Sequence, residues 1–568
     1  MINIKGGIVF GYKRINTEKE KIYCITNNTH TVGIGATRSG KTRCVVLQSI
    51  GTLGLAGESM VITDPKGELY DYTSDFLRAK DYDVLVLNFK ETRKSDKYNF
   101  LQPVIDAINK DDIQDAVDKT WDITESLMPD NDKGEPIWKN GEAAIIASAI
   151  MCVVYENKNY YKYQNLANVS QFITEMSINR KDKRGNFYVY FERLREYLKE
   201  KSSDNPAIAL LSISEVAHPK TRSSFYTSAL TTLRLFSNIN INSITSDTNI
   251  SLKDIARNKT ALYIILPDEK TTYYSIASLF IHQLYISLVA QADRMGGSLG
   301  KRVNFILDEF GNFTKVPNMD TKLTVAGSRN IRFNLFLQSF KQLDEKYGKE
   351  LSSIIRYNCE NWLYIQTDDV ETLDELSKRL GKYTTTSYSL SNNSNGGTLN
   401  LNTSSGSSVQ LIGRELLTAD EIKRIKRPYL LYLSRGLPAV MNCPDISLWN
   451  FNDLFAMGDE AYNKRLRFMK GLQMQSKIKV VKKVAYWDKI IYLLQEYKLE
   501  NEIKSLNDYI KELNELVRQG ETKAMQAVMQ IKLQLNSKKS QLEDIRFKIS
   551  EIEKQDDIER NNENEQEN

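Results

Sequence analysis

The octapeptide Gly35-Ala36-Thr37-Arg38-Ser39-Gly40-Lys41-Thr42 constrains this chain more than any other stretch. It fits G-x-x-x-x-G-K-[ST], the phosphate-binding loop of nucleotide hydrolases. Gly35 and Gly40 let the backbone turn tightly, so that consecutive N–H groups point at one phosphate. Lys41 brings a compact charge to the outer phosphates, and Thr42 offers a hydroxyl to Mg²⁺. The flanks fit as well: Thr31–Ile34 reads as a short strand and Thr42–Ile50 as a helix. A helix starting at the loop adds its N-terminal dipole to anion binding. A chain carrying this loop is expected to hold an α/β domain that binds ATP and Mg²⁺.

At 568 residues the chain exceeds the usual size of one domain. Its 77 basic and 72 acidic residues leave a net charge of only +5, so any DNA contact must come from a local patch or a lined channel. The five cysteines are scattered, without a C-x-x-C pair, and there are three histidines, so neither a zinc site nor a disulfide framework is expected. That cysteine usage suits a reducing cytoplasm. The longest apolar run, Ala143–Val154, is far short of the ~20 residues a bilayer requires and reads as a buried core helix.

Strand and helix patterns alternate through the first hundred residues, with strands at Ser59–Asp64 and Tyr82–Asn88. Such alternation argues for a parallel sheet covered by helices. Residues 1–103 are read as the first part of a nucleotide-binding domain. Residues 104–217 lose the strand runs and read as an inserted all-helical domain. The α/β pattern returns over 218–463, with strands at Ala261–Leu266, Arg302–Asp308, Ile331–Leu337, Asn361–Gln366 and Pro428–Leu433. Tyr383–Gln410, rich in Ser, Thr, Asn and Gly, reads as a flexible loop or weak hairpin. A basic linker is expected over 464–485; Lys464–Lys483 carries eight basic and no acidic residues and could bind phosphates or pack as a linker. Leu535, Leu542 and Ile549 recur every seven residues, so 486–554 reads as a helical hairpin or coiled coil. Residues 555–568 are polar and read as a disordered tail.

A phosphate loop needs a metal-holding acid and a group that activates water. Val303–Glu309 is an apolar strand that delivers Asp308 and Glu309 at its C-terminal end, where ligands bind in open α/β sheets. Asp308 is expected to hold Mg²⁺ and Glu309 to polarise the attacking water. Asp64, at another acidic strand end, is either a rival metal acid or part of a structural turn. Gln338 ends the next strand, in register to sense the γ-phosphate. Arg329 or Arg332 is placed to reach a neighbouring subunit's nucleotide and offset charge in the transition state.

The loop GATRSGKT, the strand end VITDPKGEL, NFLQP at 99–103, FILDEFGN, FLQSFKQL and Leu416–Ile422 together resemble the coupling-protein ATPases of conjugation and type IV secretion, over about residues 25 to 445. The resemblance implies a RecA-like motor domain with a helical insert, assembled as a homo-oligomeric, hexameric ring. It also implies DNA binding with little sequence preference, and delivery of a relaxase–DNA complex to type IV secretion channel proteins. Most such proteins place transmembrane helices ahead of the motor; here about 35 residues precede the loop, without an apolar span. The expectation is therefore a cytoplasmic protein recruited to the inner face of the membrane by a separate membrane-anchored partner. The residues leave two alternatives open: a ring translocase for segregation or packaging, and an ATP-switched protein docking platform.

Overall fold

The computed structural model describes residues 5–17, 19–128, 136–181, 187–201, 205–215, 217–267, 269, 271–394, 403–455, 484–518 and 522–567. The chain divides into two compact units: Met1–Asp96 with Ile250–Lys479, and Lys97–Asn249 with Val480–Asn568.

The first unit is built on a nine-stranded sheet. From one edge its strands are Ala439–Asn442, Tyr429–Leu433, Asn361–Gln366, Thr31–Gly35, Ile331–Leu337, Val303–Leu307, Ser59–Asp64, Thr260–Ile265 and Asp83–Asn88. The last seven run parallel; Tyr429–Leu433 pairs antiparallel with Asn361–Gln366, and Ala439–Asn442 antiparallel with Tyr429–Leu433. The central strands are apolar runs without alternation because both faces of the sheet are covered; every residue of Thr31–Gly35, Val303–Leu307 and Ile331–Leu337 is buried. Helices such as Leu47–Ala56, Glu68–Arg78 and Tyr274–Arg294 provide the cover. The parallel register aligns the C-terminal strand ends: Ile34 faces Leu337, and Thr63 faces Leu307. The loop, Asp308 and Gln338 therefore leave the sheet along one edge.

Two antiparallel features were not expected in this form. Ile8–Arg14 and Glu20–Ile25 pair as a hairpin beside the sheet. Lys382–Ser394 pairs with Thr403–Glu415, so of the two readings of 383–410 the hairpin holds, with two 13-residue strands that extend beyond that stretch to Lys382 and Glu415; 395–402 lie outside the described residues. Serine and threonine sustain a ladder without an apolar face, which is why the period-2 signal was missing.

The second unit is mostly helical and wider than the 104–217 insert expected from sequence. The helices Pro219–Leu233 and Ile239–Thr245 belong to it, and Asn179–Lys181 pairs with Phe187–Val189, so it is not all-helical. Its central helix, Pro136–Glu156, contains the expected apolar run, buried from Ala143 to Val154. This helix and Tyr274–Arg294 have the length and hydropathy of a membrane span, yet 72% of each window is buried inside the fold, as in core helices.

Lys489–Arg518 and Thr522–Glu567 form an antiparallel hairpin within one chain. The heptad residues Leu535, Leu542 and Ile549 are buried, and Arg546 reaches across to Glu496 and Glu500 at 2.8 and 2.6 Å. The hairpin also docks on the helical unit. Trp487 stacks on Phe172 with ring centroids 5.7 Å apart, and Asn168 both donates to the Ala485 carbonyl and accepts from the Trp487 N–H, each at 2.9 Å. Asp556 is buried, accepting from the Tyr163 hydroxyl at 2.7 Å and pairing with Lys162 at 2.9 Å. The tail expected to be disordered is instead helical as far as Glu567, because Asp556 has a docking site to satisfy it. The basic stretch 464–483 lies outside the described residues.

Candidate active site

The loop leaves the buried strand Thr31–Gly35 and is pinned at once: the Ala36 N–H donates to the Gln366 carbonyl at 2.7 Å, and the Ser39 N–H to the Ala36 carbonyl at 3.0 Å. Thr37 and Arg38 are exposed at its crest, with Arg38 at a φ of 65°. Gly40 has a φ of 93°, which only glycine adopts without strain. At Gly35 a Cβ would lie 2.4 Å from the Ser39 hydroxyl and 2.7 Å from the Lys41 side chain, so the close approach requires glycine there too. Thr42–Val46 is a π-helical turn that continues into the helix Leu47–Ala56.

Lys41, Thr42, Asp308, Glu309 and Gln338 converge although nearly 300 residues separate them in sequence. The Lys41 ammonium lies 3.3 Å from Glu309 Oε1 and 3.4 Å from the Leu337 carbonyl. The Gln338 amide donates to the other Glu309 oxygen at 3.0 Å. The Thr42 hydroxyl donates to Asp308 Oδ2 at 3.2 Å, while Asp308 Oδ1 accepts the Glu309 N–H at 3.1 Å. Glu309 itself sits in the left-handed region at a φ of 53°, a strained conformation for a non-glycine residue that turns its carboxylate toward Lys41.

Burial raises the Asp308 pKa above the usual carboxylate range, opposed by the nearby Lys41 charge. A buried carboxylate beside a threonine hydroxyl is a hard-oxygen pair of the kind Mg²⁺ prefers, with the nucleotide's phosphates and water completing its shell. Among the described residues there is no cluster of three His, Cys, Asp or Glu that could hold a metal. The Ser39 hydroxyl is buried in the loop and has no hydrogen-bond partner, an orphan that a bound phosphate or its water would satisfy.

Asp64 ends the strand next to that of Asp308, one residue beyond the Thr63–Leu307 pair, and is buried. Its carboxylate accepts the Tyr70 N–H at 2.8 Å at the start of the helix Glu68–Arg78. Burial pushes its pKa up to about 7.

The two arginines do not join the site. Arg332 is fully buried, donating to Asn304 Oδ1 at 2.7 Å and to the Ile25 carbonyl at 2.9 Å, with Glu58 at 3.6 Å. It holds the sheet to the N-terminal hairpin and cannot reach another subunit. Arg329 stands at the opposite end of the strand Ile331–Leu337, ~20 Å from Gln338 at ~3.3 Å per residue, and faces Asp293 at 3.5 Å. Within the chain it is remote from the loop.

Sequence reasoning missed what braces the loop from the far end of the unit. Arg43, directly after Thr42, makes a two-pronged contact with Asp445 at 2.7 and 2.8 Å. The Cys443 thiol donates to the Cys44 carbonyl at 3.0 Å. Nothing local in either segment announces the other.

Residues 5–443 match the family described as type IV secretory system conjugative DNA transfer. The chain belongs to this family. It is 25% identical over 368 residues to VirD4 of Rhizobium radiobacter, covering 63% of this chain and 50% of that protein. It is 26% identical over 223 residues to the conjugal transfer protein TraG of the same organism, covering 39% of this chain and 33% of that one. The chain thus spans about half the length of the curated VirD4 relatives it matches. Among solved structures, the plasmid coupling protein TrwB in complex with the ATP analogue ADPNP has a TM-score of 0.54 at 16% identity, covering 74% of this chain and 86% of that one. TrwB in complex with ADP and Mg²⁺ gives 0.53, covering 87% of that chain. The fold is the expected RecA-like α/β architecture with a parallel-dominated sheet.

Proposed function

We propose that this chain is the ATP-hydrolysing coupling protein of a conjugative type IV secretion system. The observation that carries the reading is the convergence of Lys41 and Gln338 on Glu309, beside Thr42 on Asp308. Gly35–Thr42 binds the phosphates of ATP through backbone N–H groups and Lys41. Thr42 and Asp308 hold Mg²⁺, which when bound offsets the charge developing on the phosphates. Glu309 orients and deprotonates the attacking water. Gln338, tied to the same carboxylate, senses whether a γ-phosphate has drawn Lys41 away. Arg329 acts on the nucleotide of an adjacent copy in a homo-oligomeric ring, a hexamer by the resemblance.

The work done by the cycle is transfer of DNA, bound with little sequence preference, together with a relaxase, to the secretion channel. The protein works at the inner face of the cell membrane, held there by a membrane-anchored partner. Its family membership favours this reading over a segregation or packaging motor. The deciding experiment measures phosphate release with and without single-stranded and duplex DNA, for the wild type and Lys41→Ala. DNA-stimulated hydrolysis that disappears in the variant is expected. Hydrolysis indifferent to DNA would favour a docking platform, and unimpaired transfer by Lys41→Ala would refute the motor.

A further inference from the structure

We infer that Arg427 is a second phosphate-binding cation of the nucleotide site, supplied from the far end of the same unit. The inference rests on the reading of Gly35–Thr42 as a nucleotide loop and adds a residue to it.

Topology brings Arg427 to the loop. The strand Tyr429–Leu433 runs antiparallel to Asn361–Gln366, with Leu431 opposite Tyr364 and Leu433 opposite Trp362. Its first residues therefore lie at the end of the sheet where Gln366 receives the Ala36 N–H. Arg427 immediately precedes that strand, closing the basic run Lys423-Arg424-Ile425-Lys426-Arg427.

Contact with the loop is direct. A Cβ built on Gly40 would lie 3.0 Å from Arg427 Cδ and 3.1 Å from its Nη1, so the guanidinium rests against the loop backbone itself. Gly40 directly precedes Lys41, among the residues whose N–H groups cradle phosphate in loops of this kind. A cation touching this glycine is within reach of the anion that the loop binds.

Chemistry supplies the third reason. Arg427 is exposed, and among the described residues no carboxylate pairs with it. Three other cations of this region have carboxylate partners: Lys41 has Glu309, Arg43 has Asp445 and Lys423 has Asp368 at 3.2 Å; of the exposed basic residues Arg38, Arg424, Lys426 and Arg427, it is Arg427 that lies against Gly40. A guanidinium without a carboxylate partner is free to take an anion, and its planar fork is well matched to phosphate oxygens. The ligand is the phosphate chain of a nucleoside di- or triphosphate. Arg427 also adds a steric reason for glycine at position 40, since any side chain would displace it.

The test is a fluorescence titration of the intact protein with a fluorescent ATP analogue, with unlabelled ADP and inorganic phosphate as competitors. Wild type, Arg427→Ala, Arg427→Lys and Lys41→Ala are compared, each checked by thermal melting. Loss of one charge-assisted contact predicts a Kd raised about ten- to a hundredfold in Arg427→Ala. Arg427→Lys should fall between the two, because it keeps the charge and loses the fork. Melting should be unchanged, since the side chain is exposed. Arg427→Ala binding as tightly as wild type, while Lys41→Ala fails to bind, would overturn the assignment and leave the loop reading intact. Absence of binding by the wild type would overturn the loop reading and this one with it.

Discussion

Replacing Glu309 with glutamine separates the two roles that the geometry gives this carboxylate. Glu309 holds Lys41 at 3.3 Å with one oxygen and the Gln338 amide at 3.0 Å with the other. At an effective dielectric of ~20, opposite charges at that separation attract by ~5 kcal/mol, and desolvation of both ions offsets most of this. A net restraint on Lys41 of about 1–2 kcal/mol remains, which bound nucleotide must overcome before the ammonium can turn to phosphate. Glu309→Gln removes that restraint and should tighten ATP binding about five- to thirtyfold. The same change removes the general base, and such groups contribute about 10²–10⁴ in rate. Expected, then, is tighter binding of ATP with hydrolysis slowed by at least ~100-fold. Equilibrium titration with a fluorescent nucleotide and single-turnover phosphate release measure the two effects separately. Slow hydrolysis with weakened binding would refute the restraint. Hydrolysis within ~10-fold of wild type would refute the assignment of the base.

Three further outcomes are expected. Arg332→Met leaves Glu58 buried without one of its cations and should cost about 3 kcal/mol or more, seen as a lower denaturation midpoint; a change below ~1 kcal/mol would show that the buried network is dispensable. His30 is held neutral by burial, its pKa lowered to about 4, while its ring accepts the Phe333 N–H at 3.0 Å. Its contribution to stability is therefore present above about 6.5 and lost as pH falls through about 4, so His30→Gln should flatten the decline of Tm across that window. Asp64, raised to about 7 by burial, works in the opposite sense, losing its contribution as pH rises through about 7, so the readout is the difference between the two proteins. Trp487→Ala removes the ring stacked on Phe172 and should cost about 3 kcal/mol of hairpin docking, read as faster proteolysis within 489–567. Unchanged protection would mean that Asp556 and the Asn168 contacts suffice.

What could be read from the sequence follows from how local each constraint is. Gly35, Gly40 and Lys41 are legible because a tight anion-binding turn restricts residue type position by position. Asp308 and Gln338 are legible as polar ends of buried apolar strands. Ser59–Asp64, Ile331–Leu337 and Asn361–Gln366 have the bounds that their apolar runs suggest. Arg332 was misjudged because nothing beside it in sequence says that Asn304 and Glu58 wait across two neighbouring strands. The heptads of the last helix announced an apolar seam without naming its partner, and Tyr163 and Trp487 were needed to anchor it. In each miss, the deciding contact lies far off in sequence and makes no local pattern.

The same distinction explains how the site is assembled. The loop and its helix supply groups that bind phosphate; Asp308, Glu309 and Gln338 supply groups that can act on it. Three adjacent strands hold these sets together in the sheet, with Ile34 beside Leu337 and Leu307 beside Leu335. The segment bearing Asp445 and Arg427 adds a third, meeting the loop at Arg43 and Gly40. Between the second and third sets lies the hairpin Lys382–Glu415, and between the first and second lies most of the helical unit. Within the first unit the Lys41 ammonium lies against the Leu337 carbonyl, and the Gln366 carbonyl receives the loop's Ala36 N–H.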